Sequence, residues 1–160
     1  VFGAIRHYLN PGRVKRTVLF IAIEVEKIPL VRTWMNFMHC IFMDRSNLRK
    51  SGEAIIRGVK SLKAGHSLVI FPEGTRSKGG PMKDFKAGSF KLATKSKSPI
   101  IPVTMDGSYK IMEHGDGPWF KPATVNLYIH PAIETASLTK EEQDELPKKV
   151  QNIIASKLSK

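Results

Sequence analysis

Ser67 to Gly80 reads SLVIFPEGTRSKGG, and the reading of this stretch decides the rest. SLVIF reads as a buried strand, with LVIF an uninterrupted apolar run. Pro72 stops it, because proline has no N–H to offer a ladder. A carboxylate, a glycine, a hydroxyl and a guanidinium follow at once, as Glu73, Gly74, Thr75 and Arg76. In open α/β sheets, ligands bind outside the carboxyl ends of the strands. The run is therefore a candidate binding loop.

Outward from this strand, helical and strand patterns alternate. On its N-terminal side, Leu48 to Lys63 carries Leu48, Ile55, Val59 and Leu62 along one face, with Gly65 placed to cap the end. CIFM (Cys40 to Met43) reads as a short strand ending at Asp44-Arg45, and TVLFIAIEV from Thr17 as a strand buried on both faces. VRTWMNFM is ambiguous, with Trp34, Phe37 and Met38 at helical spacing. VFGAIRHYL has Val1, Ala4, Ile5 and Tyr8 on a helical stripe, closed by Asn10-Pro11-Gly12. On the C-terminal side, Phe85 to Lys97 reads as a helix and PIIPVTM as a strand. Pro99 and Pro102 in that strand point to a sheet edge or an interrupted ladder. TVNLYIH (Thr124 to His130) alternates Val125, Leu127 and Ile129, which predicts a half-buried strand. TKEE (Thr139 to Glu142) matches a capping box for a last helix, which Pro147 breaks or restarts.

The alternation predicts an α/β fold: residues 1–160 form a single layered domain with a central, mostly parallel sheet flanked by helices. If the two strands that end at Asp44-Arg45 and at Glu73 to Arg76 are parallel, both charged tails open on one rim. That is a reason to expect one shared site.

Bulk composition narrows the partners. The chain has 160 residues, 41% hydrophobic and 25% charged, enough for one domain with a core. It carries 26 basic against 14 acidic residues, a net charge of +12. This excess suits phosphate esters, an anionic membrane surface or nucleic acid, although dispersed basic residues also fit a merely solvated surface. Cys40 is the one cysteine, so no internal disulfide forms, and its apolar setting predicts a buried inert thiol. No apolar run approaches the roughly 18 residues of a membrane span. No residue cluster suggests a metal site.

FPEGTRSKGG, followed by FKAGSFKLA and SPIIPV, resembles the glycerolipid acyltransferase family, whose best-known members are the 1-acyl-glycerol-3-phosphate acyltransferases. The family's F-P-E-G-T-R block stands unchanged at Phe71 to Arg76, and its apolar block ending in Pro-Val is matched by Ile100 to Val103. HCIFMDR (His39 to Arg45) fits the apolar and Asp-Arg end of the block resembling G-x-I-F-I-D-R, and Lys27-Ile28-Pro29 sits where the family has it. The likeness spans nearly the whole chain in four ordered anchors. It implies transfer of a fatty acyl group from acyl-CoA or acyl-carrier protein to the free hydroxyl of a lysophospholipid, giving phosphatidic acid in phospholipid biosynthesis. It implies no cofactor beyond the thioester co-substrate, and a membrane-associated enzyme on the cytoplasmic face. Carried over by position, Arg45, Glu73, Gly74, Thr75 and Arg76 become acceptor-site residues. The chemistry agrees: arginine offers a planar, permanently charged fork to phosphate oxygens, and Gly74 lets the backbone turn and approach a ligand. Glu73 could orient an arginine, accept from a glycerol hydroxyl, or simply pair with Arg76 to shape the turn.

The family's H-x4-D block supplies a histidine base and its orienting aspartate. The literal match is His39 with Asp44. On a strand, an offset of five puts the two side chains on opposite faces, roughly 16 Å apart, beyond hydrogen-bond reach. His7, His66, His114 and His130 lack an aspartate five residues on and read as surface or loop positions. The resemblance places the block just before Val1, so the expectation is a fragment without its own general base and inactive alone. Ile23 also stands where many relatives carry a basic residue. Two other readings compete: a relative that binds lipid without catalysis, and a basic nucleic-acid-binding module. No zinc-ligand spacing or RNA-recognition signature supports the second. Trp34 and Trp119 suit either a membrane face or a core, whereas Ile41 and Phe42 read as core.

Overall fold

The computed structural model describes residues 2–5, 17–22, 29–37, 40–43, 47–75, 79–112 and 121–158. Among the described residues six strands form one sheet: β1 (Phe2–Ile5), β2 (Thr17–Ala22), β3 (Ile41–Met43), β4 (Ser67–Ile70), β5 (Ile100–Asp106) and β6 (Asn126–Ile129). Their order across the sheet is β3-β2-β4-β1-β5-β6. Helices α1 (Pro29–Phe37), α2 (Leu48–Lys63), α3 (Ala87–Ser96) and α4 (Tyr109–Met112) lie in the connections, and α5 (Lys140–Ala155) follows β6. The α/β expectation holds. The sheet is mixed rather than mostly parallel: β2 pairs in parallel with β3 and β4, while β1 pairs antiparallel with β4 and β5, and β5 antiparallel with β6.

The cause is the N-terminal segment. VFGAIRHYL was expected as a helix, yet Phe2–Ile5 is a strand inserted between β4 and β5. The remainder of that segment, with its turn at Asn10 to Gly12, lies outside the described residues. An open slot between two strands outweighs a weak helical spacing, because Gly3 to Ile5 gain ladder partners on both sides.

α2 begins and ends where local chemistry requires. Asn47 caps it, its side chain accepting from the Lys50 N–H at 3.1 Å. At the other end Gly65, at φ 87°, lets the chain reverse, and the His66 N–H closes onto the Ser61 carbonyl at 3.1 Å. Ala54 and Leu62 are fully buried and Ile55 and Val59 partly so, which seats the apolar face on the core. Leu68 and Ile70 of β4, Phe90 and Leu92 of α3, and Leu146, Val150 and Ile154 of α5 complete that core. α5 opens with a reciprocal capping box: the Thr139 N–H donates to Glu142 Oε2 at 2.8 Å and the Glu142 N–H to Thr139 Oγ1 at 3.3 Å. It then runs on through Pro147 without a break, at the expense of one ladder bond.

Three further expectations are corrected. β5 is not an edge strand, since β1 and β6 flank it. The interrupted ladder is the correct alternative: two residues lie between Ile100 and Val103, but three between their partners Ile133 and Ile129. Pro102 and Pro131 sit in that offset, where the Pro102 carbonyl accepts from the His130 N–H at 3.0 Å. β6 is exposed on both faces rather than half-buried, with Leu127 at 55% and Ile129 at 72% exposure. Cys40 is half-buried, its thiol 3.6 Å from the Met35 sulfur.

Thr104, fully buried on β5, ties α5 to the sheet. Its hydroxyl donates to the Ile154 carbonyl at 2.9 Å. With its one proton committed there, it accepts from His130 Nε2, also at 2.9 Å, which fixes that nitrogen as the protonated one. At the end of α3, Lys97 adopts φ 55°, ψ 37°, a conformation that favours glycine. Lys97→Gly is expected to raise unfolding stability by about 0.5–1 kcal/mol, because relief of the left-handed strain exceeds the added freedom of the unfolded chain. A higher urea midpoint at unchanged slope checks it.

Candidate functional site

The pairing directions fix a common rim. β3 and β4 each run parallel to β2, and β4 and β5 each run antiparallel to β1. Ala22, Met43, Ile70 and Asp106 therefore end four strands on the same side of the sheet. The loops after β3 and β4 do leave from one rim, as the sequence suggested, because both strands belong to the parallel half of the mixed sheet. Two strand spacings separate them, about 10 Å. β1 runs the other way, with Gly3 opposite Ile70, so its first residue also sits at this rim.

The loop after β4 turns tightly. The Gly74 N–H returns to the Phe71 carbonyl at 3.1 Å, and Gly74 has φ +73°, a conformation that glycine takes without strain. Pro72 and Glu73 are buried beneath the turn, and Thr75 is exposed. The Glu73 carboxylate, only 6% exposed, accepts from the Lys83 N–H at 3.3 Å. The Lys86 N–H adds a second tie, to the Pro72 carbonyl at 3.0 Å. The loop thus leaves the rim at Phe71 and is fastened back to its own start by residues 83 and 86. Sequence reasoning missed Lys83, since a backbone N–H carries no side-chain signature.

Of the five acceptor-site residues expected, Glu73, Gly74 and Thr75 stand together in this turn. Arg45 and Arg76 lie outside the described residues, as do Ile23, Lys27, His39 and Asp44. His7, His114 and Trp119 also lie outside them. The two described histidines are both at the far rim: His66 precedes β4, and His130 follows β6, which is antiparallel to β5. Neither is placed to act on a ligand at the loop after β4. Ile41 is buried, as expected of a core residue, and Phe42 is half-buried. Trp34 is 63% exposed and shares one side of α1 with the exposed Leu30 and Phe37.

Comparison with known proteins matches this architecture. Residues 4–106 fit the family model described as Acyltransferase. The chain is 32% identical over 136 residues to the 1-acyl-sn-glycerol-3-phosphate acyltransferase of Borreliella burgdorferi, covering 82% of this chain and 52% of that protein. It is 29% identical over 132 residues to the enzyme of that name from Saccharomyces cerevisiae, covering 81% of this chain and 43% of that protein. The crystal structure of the 1-acyl-sn-glycerophosphate acyltransferase PlsC from Thermotoga maritima is similar with a TM-score of 0.68 and 28% identity, covering 89% of this chain and 54% of that one. The chain spans about half the length of the curated relatives it matches.

Proposed function

The chain belongs to the acyltransferase family, and from that premise we propose that it serves the transfer of a fatty acyl group from an acyl thioester to the free hydroxyl of lysophosphatidate, giving phosphatidate. One observation carries the reading: the FPEGTR loop stands at a rim where four strands end, inside the segment that matches the family. In this reading Arg45 and Arg76 reach the acceptor phosphate from two loops about 10 Å apart at their roots. Gly74 and Thr75 line the approach, and Glu73 holds the turn in shape through its bond to Lys83. The acceptor hydroxyl oxygen attacks the thioester carbonyl carbon while a base takes its proton. The carbon–sulfur bond breaks, the thiolate leaves, and the proton passes to it. The base is a histidine of the family's H-x4-D block. In a longer protein, residues joined ahead of β1 would emerge at this same rim, beside Ile70.

The reading seats the protein on the cytoplasmic face of a membrane, where its acceptor resides. Leu30, Trp34 and Phe37 support that placement, a row of exposed apolar side chains at helical spacing on α1. Among the described residues no helix is long and apolar enough to cross a bilayer. The test is phosphatidate formed by the complete protein from lysophosphatidate and either acyl-CoA or acyl-carrier protein. Turnover supports the reading and identifies the donor. Binding to phosphatidate vesicles without turnover replaces it with a lipid-binding relative, and salt-sensitive binding to DNA alone replaces it with a nucleic-acid module.

A further inference from the structure

Tyr109 begins α4, three residues past the end of β5, and so stands at the same rim as the loop after β4. Its half-buried ring lies against the outer arm of that loop. A Cβ built on Gly79 would sit 2.8 Å from Cδ2 and 2.9 Å from Cε2 of the ring. Gly79 also holds φ +78°, so the position excludes a side chain both by conformation and by contact. The mount behind the ring is stiff. Gly107, at φ +90°, is pressed so closely on the Thr124 carbonyl that a Cβ would lie 2.6 Å from its oxygen. The Lys121 N–H binds the Ile111 carbonyl of α4 at 3.0 Å, and Asp106 pairs with Asn126 in the sheet. The ring is thus carried by the β5–β6 half of the sheet, while the loop springs from the parallel half.

We infer that Tyr109 is a positioning residue for the acceptor loop: its ring is the stop against which the outer arm folds back. The inner arm at Glu73 to Thr75 is held at its base by the Lys83 and Lys86 N–H groups, and the outer arm at Gly79 by this ring. Fixing a loop at two places lowers the freedom it has to lose when a ligand binds. The inference rests on the reading that this loop holds the acceptor. It identifies Tyr109 as setting acceptor affinity without touching the acceptor.

The test is steady-state kinetics of the complete protein, with lysophosphatidate and acyl donor varied separately. Tyr109→Ala is expected to raise the acceptor KM about tenfold and to move the donor KM less than about twofold. Tyr109→Phe, which keeps the ring, restores the wild-type acceptor KM. Gly79 is exposed, so Gly79→Ala probes the same contact without opening the core. Its effect shrinks in the Tyr109→Ala background, because there is no ring left to strike. An unchanged acceptor KM in Tyr109→Ala, donor and acceptor KM rising together, or independent effects of the two substitutions overturns the inference. Arg76→Ala, run in parallel, separates the two levels. If it raises the acceptor KM while the Tyr109 variants do not, this inference alone falls. If it leaves the acceptor KM unaltered, the acceptor-loop reading falls and takes this one with it.

Discussion

Arg76→Ala is expected to raise the acceptor KM of the complete protein about hundredfold while leaving the donor KM near its original value. A hydrogen bond to a charged group is worth roughly 1.5–3 kcal/mol, and a two-pronged guanidinium–phosphate contact reaches the top of that range. At about 1.4 kcal/mol per tenfold, the upper figure corresponds to two decades. Arg76→Lys keeps the charge but loses the fork, so its acceptor KM should fall between wild type and Arg76→Ala. Raising the salt concentration should narrow the gap between wild type and Arg76→Ala, since screening weakens the contact that was removed. Unchanged kinetics in Arg76→Ala would remove the phosphate role from this loop.

Leu62→Ala carries the largest expected effect on stability. Leu62 is fully buried on α2, in one cluster with Ala54, Leu68, Phe90 and Leu92. Removing its isobutyl group strips that contact and leaves a void, which costs about 3 kcal/mol at a site with little room to collapse. For a domain of this size the melting temperature should fall by about 10 °C. Leu62→Met, which nearly conserves volume, should cost less than about 1.5 kcal/mol. A thermal melt of the three proteins checks both values. A drop under about 3 °C for Leu62→Ala would mean that the α2 interface contributes little to holding the sheet.

What could be read from the chain follows the reach of the interaction involved. α2 was legible at both ends, because Gly65 and the stripe of Ile55, Val59 and Leu62 are local signals. The Thr139–Glu142 box was legible for the same reason. Phe2–Ile5 was not, because nothing inside VFGAIRHYL records that β4 and β5 leave a slot between them. The same missing fact turned a mostly parallel sheet into a mixed one. In β6, alternation at Leu127 and Ile129 suggested a covered face, yet both side chains stand exposed. The turn at Glu73, Gly74 and Thr75 was legible, because charge and glycine concentrate at the exit of an apolar run. What this loop rests against was hidden. Lys83 and Lys86 contribute only their backbone, and Tyr109 belongs to a different strand exit.

The place of β1 also bears on how the molecule assembles during synthesis. It precedes both of its neighbours in the sheet, which begin at Ser67 and Ile100. While the ribosome works toward β5, at least one side of β1 offers bare N–H and C=O groups, the template on which nascent chains stick to one another. Closing that side waits for a loop of nearly a hundred residues, so slow, topology-limited folding is built in. A chain released before Ile100 should therefore aggregate more readily than the same chain carried through to the end of α5.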